Sequence, residues 1–122
     1  MSAPKGSPKG QSSKTAKGNA APEPTPTKVP QLTDNQIEAE LTKNPEWSQI
    51  GDMIQRTYQF ADFIAAMKFV DRVAVAAEKA QHHPDILIRY SRVTLSMTTH
   101  DANGISHKDF ALAAECDKFA SK

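Results

Sequence analysis

The chain has 122 residues, room for one ordinary domain, and its 15 Lys and Arg stand against 14 Asp and Glu for a net charge of +1. That balance argues against a dedicated nucleic-acid binder, and the single cysteine, Cys116, excludes a disulfide framework and a multi-Cys zinc site. No apolar run approaches the roughly 18 residues of a membrane span.

The charge is unevenly spread. Residues 1–31 hold five lysines and one acid, a net +4, whereas residues 32–122 sum to −3. Six of the eight prolines lie in 1–31, among Ser, Gly and Ala, so this segment lacks the apolar content to offset its ordering entropy. It is expected to be a disordered tail, either a solubilising extension or an electrostatic tether to an anionic surface. It has neither the apolar stretch of a secretory signal nor the arginines of a mitochondrial presequence. With no need of an oxidising compartment, a cytoplasmic location is expected.

The domain proper is assigned to 32–122. Thr33, with Gln36 three residues on, predicts a capped helix over Thr33–Thr42 that Asn44-Pro45 ends. Trp47–Ile50 and Met53–Phe60 read as strands around a Gly51-Asp52 turn. In the second strand Ile54, Tyr58 and Phe60 share one parity, with Arg56 as an exception. Phe63, Ala66, Met67, Val70, Val73, Ala74, Ala77 and Ala80 recur at three- and four-residue steps, predicting a long helix from Asp62, its N-cap, to about Gln81. Pro84 prevents its continuation.

Ile86–Tyr90 and Val93–Thr98 alternate as two further strands. Gly104 suits a turn in the loop that follows. Ser106 caps a last helix over Lys108 to about Phe119, with Phe110, Leu112, Ala113 and Cys116 inward. The order α-β-β-α-β-β-α predicts an α+β fold, a four-stranded antiparallel sheet with helices packed on one face. The other face is expected to need cover from strand pairing or a partner subunit.

All four histidines lie within residues 82–107. His82 and His83 close the long helix and His100 follows the fourth strand, positions where a scaffold displays catalytic groups. Imidazole gives and takes protons near neutral pH, so two or three in one pocket suit general acid/base chemistry. His82-His83 also suits a helix C-terminus, where the dipole favours positive charge. His107 has no partner in the sequence and reads as a surface residue. Three imidazoles suit an open zinc site, but adjacent histidines at a helix end point apart, so no metal is expected. Glu78 lies four residues before His82, one helical turn, within reach of it. Asp109 opens the last helix, where the dipole favours a carboxylate in any case. Trp47, the one tryptophan, suits a core position as well as a ligand platform.

These residues carry a resemblance. Glu78-Lys-Ala-Gln-His82-His83-Pro84-Asp85, Tyr90, the strand running to His100, and Gly104-Ile-Ser106-His-Lys-Asp109 resemble the signature of the pterin-4a-carbinolamine dehydratase family. Phe60-Ala-Asp-Phe63 resembles that family's entry into its long helix, and Trp47 stands where the family carries a tryptophan. The likeness spans about residues 32–120. Gln81 departs from the Asp or Asn often found before His-His, and Ile86 from a common aromatic.

The resemblance implies dehydration of 4a-hydroxytetrahydrobiopterin to quinonoid dihydropterin, which recycles tetrahydrobiopterin after aromatic amino-acid hydroxylation. It implies a homodimer or tetramer with no organic cofactor. By resemblance, His82 and His100 are the acid/base pair, His83 holds the pterin, Glu78 and Asp109 orient the imidazoles, and Trp47 packs near the substrate. Animal members of the family also serve as dimerisation partners of a homeodomain transcription factor, so a non-catalytic scaffold of the same fold is the alternative.

Overall fold

Alternation of apolar and polar side chains builds the sheet. In the computed structural model, which describes residues 29–121, four strands run β1 (Ser48–Ile50), β2 (Met53–Gln59), β3 (Asp85–Arg89) and β4 (Arg92–Met97). They pair antiparallel in the order β1-β2-β4-β3. The central pair sets Ile54 against Met97 and Tyr58 against Val93, so that these four and Leu95 lie on one buried face. The expected tail, 1–31, lies almost wholly outside the described residues.

Three helices, α1 (Asp34–Lys43), α2 (Phe63–Ala80) and α3 (His107–Ala120), complete the α+β fold. Ala66, Phe69, Val73 and Ala77 form the buried stripe of α2, and α3 buries Phe110, Leu112, Ala113 and Cys116. Helix starts follow the capping residues. Thr33 and Gln36 form a full capping box, Asp62 accepts from the amide of Ala65 at 2.8 Å, and Ser106 forms a box with Asp109. Among the described residues no helix is long and apolar enough to cross a membrane.

The sheet's second face carries a row of polar side-chain pairs beside the exposed Leu87. Gln55 bonds Ser96 at 2.9 Å, Thr57 bonds Thr94 at 2.7 Å and Gln59 bonds Ser91 at 2.8 Å. Such a polar ladder is stable facing water, as one side of an antiparallel sheet commonly is. The turn after β4 takes its left-handed residue at Asn103, φ 56°, and not at Gly104. Gly104 instead leaves room for a neighbour: a Cβ there would meet the Gln31 amide nitrogen at 2.5 Å.

The exception of Arg56 to the parity of β2 also has a cause. Its guanidinium stacks 4.3 Å above the Tyr58 ring and meets Asp117 Oδ1 at 2.8 Å. Asp117, on α3, also accepts from Tyr58 Oη at 2.5 Å and from Trp47 Nε1 at 3.2 Å. One carboxylate thus ties the last helix to β2 and to the residue before β1. Burial, reinforced by the Asp117 contact, holds the Tyr58 phenol far above its ordinary range. Burial, with the Asp117 and Glu115 charges, pushes the Cys116 thiol up to about 12.

Replacing Asp117→Ala strands three donors at once and should lower stability by about 2–3 kcal/mol, measured by urea unfolding. A loss no larger than that of an exposed Asp34→Ala control would show that the carboxylate is not the tie described. The raised Cys116 thiol sets a pH dependence. The unfolded thiol ionises near 9 while the folded one stays neutral to about 12, so stability is intact below pH 9 and falls above it. Cys116→Ala should give a shallower fall between pH 9 and pH 11.5 than the parent chain.

Candidate active site

The end of α2 places two imidazoles side by side. Gln81 turns left-handed at φ 52°, and the amides of Gln81 and His82 bond the carbonyls of Glu78 and Ala77 at 3.2 and 3.0 Å. This backbone closure satisfies the helix end and frees both imidazoles for other partners. His82 enters the interior, its side chain 10% exposed, and its Nε2 lies 2.5 Å from Asp109 Oδ1. His83 stays outside and meets Glu78 Oε2 at 2.6 Å. Glu78 therefore contacts His83, not His82. The left-handed turn at Gln81 breaks the helical spacing from which contact with His82 was expected.

His100 is delivered from a separate segment by a short 3₁₀ turn, His100–Ala102, that follows β4. Reciprocal bonds between Thr99 and Gly104, at 3.0 and 3.2 Å, close the loop around it. The amide of Leu32 bonds the Ile105 carbonyl at 2.9 Å, which pins the entering chain to the same loop.

His82, His83 and His100 together line one open cleft of about 320 Å³, with Gln81, Thr98, Thr99, Asp101 and Lys108. That size falls within the range of small-molecule sites. Asp109 lies behind the cleft wall, fully buried. Its Oδ2 accepts from the Thr99 hydroxyl at 2.9 Å and the Ser106 amide at 3.0 Å. With His82 on Oδ1, three protein groups meet a carboxylate that has no water contact, the compensation a buried charge requires.

Trp47 is not among the lining residues. Its ring is buried, edge-on to Tyr58 at 6.3 Å, with its N–H on Asp117. A packing position explains it, and the structure does not bring it to the cleft. His107 lies outside the cleft, beside an apolar hollow between α2 and α3. Among the described residues no three His, Cys, Asp or Glu side chains are arranged to hold a metal ion.

The family model for pterin 4 alpha carbinolamine dehydratase matches residues 30–119, nearly the whole described chain. The chain belongs to the pterin-4-alpha-carbinolamine dehydratase family. It is 49% identical over 87 residues to a protein of Picosynechococcus sp. provisionally named such a dehydratase, covering 71% of this chain and 95% of the relative. It is 51% identical over 90 residues to one of Chloroflexus aurantiacus with the same provisional name, covering 74% and 97%. A crystal structure from Brucella melitensis, titled a transcriptional coactivator/pterin dehydratase, superposes with a TM-score of 0.72 at 30% identity, covering 74% of this chain and 98% of that one.

The family's signature positions divide in this geometry. His82, His83, His100, Glu78 and Asp109 gather at or behind the cleft, while Trp47 does not. Lys108 and Thr99 were not singled out in the sequence. Lys108 stands in the capping motif between Ser106 and Asp109, so its place at a helix start beside His100 was the available signal.

Asp109 and Glu78 should behave oppositely on removal. Asp109→Ala leaves the Thr99 hydroxyl, the Ser106 amide and His82 without an acceptor and should cost about 3–5 kcal/mol in denaturant unfolding. Glu78→Ala removes only an exposed pair and should stay within about 0.5 kcal/mol of the parent. Equal losses would contradict the burial difference described.

Proposed function

We propose that this cleft dehydrates 4a-hydroxytetrahydrobiopterin to quinonoid dihydropterin, the step that returns the pterin cofactor of aromatic amino-acid hydroxylation to its recycling path. The observation that carries the reading is the convergence of three imidazoles from two chain segments on one cleft of small-molecule size.

The reaction removes the 4a-hydroxyl as water and takes a proton from a ring nitrogen. One acid must reach the oxygen and one base the nitrogen. His82 and His100, from two chain segments on one cleft, form that pair, and holding the substrate between them removes the entropic cost of bringing three groups together. His83, paired with Glu78 at the rim, holds the pterin. Asp109 orients His82 from behind. The electron-rich pterin expels its hydroxyl with proton transfer alone, so the reading assigns no cofactor and no metal. The enzyme is read as cytoplasmic, with a pterin as its small-molecule partner and neither membrane nor nucleic acid as a direct one.

A second reading rests on a different surface. β3 is an edge strand, and it leaves Ile86 and Leu87 exposed, with Tyr90 beyond its end 70% exposed at φ 53°. An apolar edge of this kind favours pairing with another chain, which supports a homodimer or tetramer and leaves room for a scaffold role independent of catalysis.

The test is stopped-flow decay of freshly generated 4a-carbinolamine. The full chain should accelerate it, and His82→Ala or His100→Ala should each lose about 100-fold or more in kcat. His83→Ala should act mainly on KM. If the parent and the His82→Ala/His100→Ala double variant decay the substrate equally, the enzyme reading fails. Partner capture that survives in that double variant would favour the scaffold.

A further inference from the structure

The hydroxyls behind His82 have only one consistent direction of donation. The Lys108 amide donates to Ser106 Oγ at 3.2 Å. Ser106 Oγ and Thr99 Oγ1 lie 2.7 Å apart, and Thr99 Oγ1 lies 2.9 Å from Asp109 Oδ2. An ionised carboxylate only accepts, so the single hydroxyl hydrogen of Thr99 goes to Asp109. Thr99 must then accept from Ser106, whose own hydrogen is thereby used. Oδ2 also takes the Ser106 amide at 3.0 Å. Two donors saturate Oδ2 on its buried side, and Oδ1 is left facing His82 Nε2 at 2.5 Å.

We propose that Thr99 is a positioning residue: by anchoring Asp109 through Oδ2 it keeps a hydrogen of His82 on Nε2, toward the carboxylate, so that Nδ1 is the nitrogen His82 uses for proton exchange. The inference rests on the dehydratase reading of the cleft. Among the described residues no protein group bonds Nδ1. Thr99 and His82 both line the cleft, and Thr99 and Ser106 are buried, so water does not compete for the Asp109 carboxylate from that side. In sequence Thr99 immediately precedes His100, so one residue pair sets both partners of the reaction: Thr99 through Asp109, His100 directly.

The alternative is that Thr99 only stabilises the start of α3. The experiment separates the two. Long-range ¹H–¹⁵N spectra of the full chain at alkaline pH report which ring nitrogen of His82 carries hydrogen, assigned by the loss of its signals in His82→Gln. The parent should show Nε2–H. In Thr99→Val the carboxylate loses one of its anchors and can turn about Cβ–Cγ. His82 should then become a mixture of tautomers, and kcat should fall roughly ten- to hundredfold, the range for groups that fix an imidazole through a carboxylate. KM should stay within about twofold, because the group acts on the reacting state and not on binding. Thr99→Ser, which keeps the hydroxyl, should restore both readouts.

A parent signal from Nδ1–H overturns the proposal without any variant. So does a folded Thr99→Val that keeps the parent tautomer and kcat. Thr99→Ala serves as the smaller replacement if valine is not accommodated. If the parent chain does not accelerate carbinolamine decay, the dehydratase reading falls, while the tautomer of His82 still decides whether Thr99 and Asp109 set it.

Discussion

The buried carboxylate of Asp109 is the constraint on which both fold and site depend. An ionised group with no exposure is tolerated only when its lone pairs are matched by donors. Those donors come from the end of β4, from the turn into α3 and from the end of α2. Meeting the electrostatic demand of one side chain therefore brings three separate pieces of chain to one point. His82 is one of those pieces, so the cleft is held in shape by the same interaction that seats the last helix.

Asp117, two turns further along α3, does the equivalent at the other end. It gathers Trp47, Arg56 and Tyr58 from the N-terminal half of the sheet. The two carboxylates divide the labour. Asp117 is partly open and bonds residues that pack, whereas Asp109 is closed off and bonds a residue that lines the cleft. A single helix thus registers both halves of the sheet, and its apolar stripe between them, Phe110, Leu112 and Ala113, fills the core.

The elements were legible in the sequence because their causes are local. Alternation in β4, the three- and four-residue steps of α2 and the capping pairs Thr33–Gln36 and Ser106–Asp109 each act over a few residues, and the structure follows them within one or two positions. The three cleft histidines were legible as well, through their spacing and their places at element ends. Partners separated widely in sequence were not. Nothing near Asp117 signals that it will meet Trp47, 70 residues away, and nothing near Thr99 marks it as the donor to Asp109. Glu78 failed for a different reason. Helical spacing predicted contact with His82, but spacing holds only while the helix continues, and the left-handed Gln81 hands the carboxylate to His83. In the β4–α3 loop, Asn103 takes the positive φ, a conformation asparagine tolerates, and Gly104 supplies room for the Gln31 side chain.

The contact between Gln31 and the loop at Gly104 bears on where the working unit begins. The first helix starts at Asp34, and by secondary structure alone the domain could be trimmed to that point. Yet the Leu32 amide and the Gln31 side chain lie against Asn103–Ile105, the return limb of the loop that carries His100. The few residues ahead of the first helix thus act as a brace for a loop more than seventy positions downstream. A chain cut at the helix would lose the Thr33 cap and the packing of Leu32, and with them the outer support of the cleft wall that carries His100.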